Sequence, residues 1–211
     1  MSEKTPDQQY AVLVPVKPPA VGKSRLAGLG TQARRALAEA FALDTVAACL
    51  EAASVARVLV VTDDVRISFA VTALGADAVP DGVSGDLNGT LRQAASEAAR
   101  RWPGLRPVAL CADLPALRAA DLDETLAQAR SPQPWFVPDA AGVGTTMYAA
   151  PGNEFDPRFG PGSRAAHLAA GAQELTDVAP SVRRDVDDLD DLRAAVALGV
   201  GPHTVAVLPT R

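Results

Sequence analysis

The sequence predicts an α/β protein with a mostly parallel central sheet flanked by helices, and three observations predict it. Short, mainly apolar runs recur at residues 11–16, 56–62 and 107–111, the first of them unbroken. Such runs read as strands buried on both faces rather than as half-solvated ones. Between them lie alanine- and leucine-rich stretches with helical periodicity. Strands alternating with helices in this way call for right-handed crossovers and parallel pairing. The chain of 211 residues is most simply one domain, long enough to bury a real core.

The first strand ends where Pro18 and Pro19 force the chain into a loop, and three cations, Lys17, Lys23 and Arg25, stand on or beside that loop. Open α/β folds bind ligands in the crevice outside the carboxyl ends of their strands, so this loop reads as an anion clamp, best suited to a triphosphate. Gly22-Lys23-Ser24 has the tail of a P-loop, but position 17 is lysine where that motif needs its first glycine.

A long helix is expected over 31–53 with Thr31 as its N-cap. Next come a strand at 56–62 leading to Asp63 and Asp64, a helix at 65–74 closed by Gly75, and a short strand at 76–79. A glycine- and aspartate-rich loop at 80–89 precedes a helix at 90–101. Asn88 on that loop is read either as a partner of ribose or base, or as the helix N-cap. The strand at 107–111 is followed directly by Asp113.

Beyond residue 138 the texture changes. A strand at 135–138 is followed by a glycine loop at 139–144, a strand at 145–150, a Pro/Gly-rich loop at 151–162 and a short helix at 163–170 capped by Ser163. A last strand is expected near 183–186, then a helix over 189–198. The expected organisation is a nucleotide-binding half (10–138), an acceptor-binding lobe (139–187) and a C-terminal helix and tail (188–211) within one domain.

Asp185 and Asp187 form an Asp-x-Asp pair leaving the expected last strand, and in a strand-like stretch residues i and i+2 face the same way. Two carboxylates sharing a space repel unless a cation lies between them. With Asp113, the hard oxygen set favours Mg²⁺ or Mn²⁺ with phosphates completing the shell. Asp188, Asp190 and Asp191 open a helix and are assigned to capping and dipole roles. Gly142, Gly144, Thr145 and Thr146, together with the run from Pro157 to Ser163, read as a second pocket for a small anion.

The net charge of −5 argues against nonspecific nucleic-acid binding. Cys49 and Cys111 form no disulfide framework or zinc pattern, which points to a reducing cytoplasm. His167 and His203 lack ligand-spaced neighbours and read as structural or exposed. No apolar run reaches membrane-spanning length, so no membrane partner is expected.

The ordered set PVK-x5-KSRL, DLN, ADLPAL, DAAGVGTT, PRFGPGS and DVDDLDDL, over about residues 10 to 202, resembles the phospholactate/phosphoenolpyruvate guanylyltransferases of deazaflavin coenzyme F-420 biosynthesis. That resemblance implies a nucleotidyltransferase fold of the glycosyltransferase-A-like kind with a small irregular acceptor lobe. It also implies GTP as donor, one or two Mg²⁺ ions, and phosphoenolpyruvate or 2-phospho-L-lactate as acceptor. The alanine- and arginine-rich composition looks actinobacterial, which favours phosphoenolpyruvate. Carried over by motif, Asp113, Asp185 and Asp187 hold the metal, and Thr145, Gly160 and Ser163 hold phosphoenolpyruvate. Lys17, Lys23 and Arg25 stabilise the leaving phosphates, with Asn88 beside the nucleoside. Two departures stand out: Val143 where a threonine is common, and Ala112 where glycine often precedes the aspartate. Two rivals stay open. One is a molybdopterin- or sugar-phosphate-type nucleotidyltransferase, although those usually open with an LAGGxSxR-type loop; the other is a noncatalytic nucleotide-binding regulator.

Overall fold

β1 (Tyr10–Pro15) is the strand around which the layers form, because its side chains divide between two apolar faces. Val12 and Val14 enter one core cluster with Val46, Cys49 and Ile67, while Ala11 and Leu13 enter the other with Leu59, Leu91 and Ala109. A strand buried on both sides needs apolar residues at every position, which is why the run is unbroken. The computed structural model describes residues 9–17, 29–83, 85–128 and 133–208.

The first half builds α1 (Thr31–Glu51), β2 (Val55–Val61), α2 (Val65–Leu74), β3 (Asp77–Val79), α3 (Leu87–Arg101), β4 (Arg106–Leu110) and α4 (Ala119–Gln128). The second adds β5 (Trp135–Pro138), β6 (Thr145–Ala149), α5 (Ser163–Ala169), β7 (Gln173–Glu174), α6 (Pro180–Arg183), α7 (Leu189–Leu198) and α8 (Pro202–Val207). Among the described residues, one seven-stranded sheet runs in the order β3-β2-β1-β4-β6-β5-β7. β1 pairs in parallel with both β2 and β4, so their carboxyl ends share one rim. β6 is antiparallel to β4 and β5. The short loop between β5 and β6 permits only a hairpin, whereas a parallel return needs a crossover of a dozen or more residues.

Several expectations are corrected. Gly30, not Thr31, is the N-cap of α1, and it makes no side-chain cap. α3 begins three residues earlier than expected because Asp86 caps it, accepting from the Gly89 amide at 2.9 Å. The strand expected near 183–186 does not form: α6, with proline in its first turn where a fixed φ favours helix, ends at Arg183, and residues 184–186 run on without regular structure. α4, β7 and α8 were not foreseen. α8 is held by a distant residue: Asp44 of α1 accepts from the amides of His203 (3.0 Å) and Thr204 (2.8 Å). As expected, Gly75 ends α2, at φ +107°; its N-cap is Asp64, which accepts from the Arg66 and Ile67 amides. No helix among the described residues is long and apolar enough to cross a membrane.

Candidate active site

Asp113 lies three residues past the end of β4, on the rim shared with β1. Its turn is fixed from α1. The buried Thr45 hydroxyl accepts from the Leu114 amide at 3.1 Å and lies 2.8 Å from the Phe41 carbonyl, to which it donates. The Ala112 carbonyl is a second, longer acceptor at 3.3 Å. One hydroxyl therefore brackets Asp113 on both sides.

The Asp185–Asp187 segment reaches the same place. The Val186 amide donates to the Asp113 carbonyl at 3.0 Å, and Val186 itself is fully buried against Leu37, Phe41, Ala116 and Leu192. Asp113 and Asp185 are half-buried and Asp187 is exposed. The two aspartate turns thus touch through backbone, but Asp185 and Asp187 follow a short helix rather than lying on a strand. Among the described residues, no group of three or more His, Cys, Asp or Glu side chains gathers closely enough to hold a metal ion. The neighbouring acids behave as local chemistry requires. Asp188 caps α7 in a reciprocal box with Asp191, and Asp190 pairs with Arg193.

Lys17, exposed, follows β1 on the same rim. It borders a small recess with Val61, Asp63, Asp81, Leu87 and Thr90. Lys23 and Arg25 lie outside the described residues. A cavity of about 460 Å³ opens beside the first turns of α1 and α2, where Arg35 and Arg66 line it with Thr31, Gln32, Glu39 and Asp64.

Thr145, Gly160 and Ser163 do come together, and the agent is a residue that spacing gave no reason to choose. His167 on α5 is fully buried. Its Nδ1 lies 3.0 Å from Thr145 Oγ1, and its Nε2 accepts the Arg158 amide at 2.9 Å. The ring stacks between Phe136 (5.2 Å) and Tyr148 (4.8 Å), with Phe159 edge-on at 5.7 Å. Burial holds its pKa down to about 4, so the ring is neutral at physiological pH. Ser163 is buried and starts α5, but Gly162, at φ +70°, is the N-cap in place of the expected serine. Gly160 at φ +135° takes a conformation open only to glycine in practice.

Asn88 sits inside α3, not at its cap. It holds both sides of one peptide residue: Nδ2 donates to the Phe159 carbonyl (2.9 Å) and Oδ1 accepts the Phe159 amide (2.8 Å). The neighbouring glycine loop is shaped by Asp139, whose carboxylate accepts the amides of Val143 (2.9 Å) and Gly144 (2.8 Å). A side chain at Gly144 would collide with that carboxylate. Arg183 ties the loop base down, donating to the carbonyls of Pro138 and Asp139. Thr45 and His167 were missed because each acts through a partner distant along the chain. Asp139 was missed although it heads the glycine loop, because its partners there are main-chain amides, which almost any residue supplies.

The family profile described as "Guanylyl transferase CofC like" matches residues 10–208. A protein named phosphoenolpyruvate guanylyltransferase from Thermomonospora curvata is 50% identical over 200 residues, covering 94% of this chain and 88% of that one. Among solved structures, a nucleotidyl transferase from Methanothermobacter superposes with a TM-score of 0.63 at 18% identity, covering 91% of this chain and 98% of that one. A Mycobacterium tuberculosis protein solved as a complex with manganese superposes with a TM-score of 0.51 at 21% identity, covering 90% and 99%. The fold is thus that of the nucleotidyltransferases, and the chain belongs to the CofC-like guanylyl transferase family.

Proposed function

We propose that this protein transfers GMP from GTP to the phosphate of phosphoenolpyruvate, releasing pyrophosphate and giving enolpyruvoyl-2-diphospho-5'-guanosine for coenzyme F-420 biosynthesis. The observation that carries the reading is the Val186–Asp113 backbone bond, which brings two aspartate turns to the rim where the anion clamp begins. The glycine-rich loops that His167 ties together are the place we assign to the acceptor. The relative at 50% identity named for this activity favours phosphoenolpyruvate over 2-phospho-L-lactate.

In the reaction, a phosphate oxygen of the acceptor attacks the α-phosphorus of GTP in line. The bond from that phosphorus to the bridging oxygen breaks, and pyrophosphate leaves with the electron pair. The acceptor phosphate is already ionised, so no general base is needed. Catalysis of this kind rests on positioning and charge neutralisation. Lys17, Lys23 and Arg25 neutralise the β- and γ-phosphates. Thr145, Gly160 and Ser163 hold the acceptor.

Asp113, Asp185 and Asp187 are the residues that would hold Mg²⁺, or Mn²⁺ in its place. The donor set fits. Mg²⁺ is usually bound by one or two carboxylates with substrate phosphates and water, not by an all-protein cage, and two half-buried aspartates on touching turns offer that. When bound, the ion screens the repulsion between the two anionic substrates.

The test incubates the protein with GTP, Mg²⁺ and, separately, phosphoenolpyruvate, 2-phospho-L-lactate and 3-phosphoglycerate. Pyrophosphate release is followed and the product mass recorded. A guanosine diphosphate adduct formed most efficiently from phosphoenolpyruvate is expected. No adduct from any of the three acids would overturn the reading.

A further inference from the structure

Two consecutive amides of the acceptor loop are gripped by side chains from two different helices. The Arg158 amide donates into His167 of α5, and the Phe159 amide donates into Asn88 of α3. Asn88 returns a bond to the Phe159 carbonyl, so that residue is held in a two-point grip across 71 positions of sequence. Gly160 follows immediately, with its left-handed backbone, and leads into α5 at Ser163.

The His167 tautomer follows from the same bonds. A nitrogen that accepts a main-chain N–H must carry a lone pair, so Nε2 is unprotonated. The ring is neutral and its proton therefore sits on Nδ1, which donates toward Thr145 Oγ1 at 3.0 Å, with the Ser163 carbonyl as a further acceptor. With its oxygen accepting from the ring, Thr145 offers its own hydroxyl proton elsewhere, as a donor suited to an anionic group.

We infer that Asn88 and His167 are positioning residues of the acceptor site: together they clamp the Arg158–Phe159 backbone, and His167 sets the Thr145 hydroxyl as a donor to the acceptor anion. This reading moves Asn88 away from the nucleoside and rests on the acceptor pocket proposed above. A clamp of this kind tunes capture of the small acid and leaves GTP binding alone.

The experiment compares Asn88→Ala, His167→Gln and His167→Asn with the parent protein, each checked for a native circular dichroism spectrum. The phosphoenolpyruvate KM should rise about tenfold in Asn88→Ala, the scale of one or two net hydrogen bonds, while the GTP KM stays within about twofold. His167→Gln, whose amide oxygen can still accept at the Nε2 position, should retain more acceptor affinity than His167→Asn. A rise in the GTP KM alone, or equal rises in both constants, would overturn the inference. A second readout uses no substrate: backbone amide exchange at Arg158 and Phe159 should quicken in Asn88→Ala while α1 stays protected. Unchanged exchange at both amides would also overturn it. Should phosphoenolpyruvate fail as acceptor in the parent protein, the proposed function falls while the exchange result still decides the clamp.

Discussion

The Val186 amide donates to the Asp113 carbonyl across 3.0 Å, and through that one bond a segment near the end of the chain is registered against the end of β4. Val186 is fully buried among side chains of α1 and α7, so the bond sits on a packed base. Asp113 and Asp185, on either side of it, are thereby held on one rim although 72 positions separate them (185 minus 113).

Replacing either carboxylate should therefore remove turnover without unfolding the protein. For Asp113→Asn and Asp185→Asn, kcat/KM should fall on the order of a thousandfold, the loss of several kcal/mol of charge stabilisation. Chelation of divalent ions should do the same to the parent protein, with Mg²⁺ or Mn²⁺ restoring it. Pyrophosphate release with excess chelator, or normal turnover by both variants, would count against the assignment.

Thr45 is the hidden support of that rim. Thr45→Val keeps its shape but leaves the Leu114 amide without its partner. A buried amide left unsatisfied costs about 1–3 kcal/mol, so the melting temperature should drop by several degrees. Because the Asp113 turn loosens, kcat should fall as well. A variant with unchanged melting temperature and kcat would contradict this.

Stability should depend on pH through His167. Burial holds the folded ring down to about 4, against an ordinary value near 6.5. Between those values the unfolded chain binds the proton and the folded one does not, so stability rises with pH. The contribution is complete above about pH 6.5 and is lost as the pH falls toward 4. The charges of Arg158 and Asp156 act on the ring in opposite directions, the first lowering and the second raising its pKa. Urea midpoints measured from pH 8 to 4.5 should fall more steeply for the parent than for His167→Gln. Parallel profiles would refute the assignment.

Asp44 gives a contrasting case, a buried carboxylate devoted to the fold. It caps α8 from α1, and Gly201 packs against it too closely to admit a side chain. Asp44→Ala should cost about 1–2 kcal/mol, the value of a helix cap, with the KM for either substrate little changed. A selective loss of GTP affinity would place Asp44 in the site instead.

Reading the chain succeeded where the signal was local. The apolar runs of β1, β2 and β4 announced a sheet buried on both faces, Gly75 closed α2, and Asp188 with Asp191 declared the start of α7. It failed at 183–186, where alternation looked like a strand but Pro180 nucleates a helical turn just before. It also passed over α4 and α8. The apolar face of α4 is short, and α8 depends on a carboxylate about 160 residues away. Within the candidate site, Asp113, Thr145, Gly160 and Ser163 were visible as motifs. The Asn88 and His167 grips were not, since each is a hydrogen bond to main chain that any residue could offer.

By itself, then, the sequence determined the α/β class and the buried strands of the first half, because burial writes its period directly into the run of side chains. It also set the types of group at the rim, oxygen donors opposite cations. Only the tertiary structure decided which of these meet. Val186 touches Asp113, Asn88 holds Phe159, and His167 sets Thr145, through bonds that depend on how loops return to the sheet and leave no periodic trace along the chain.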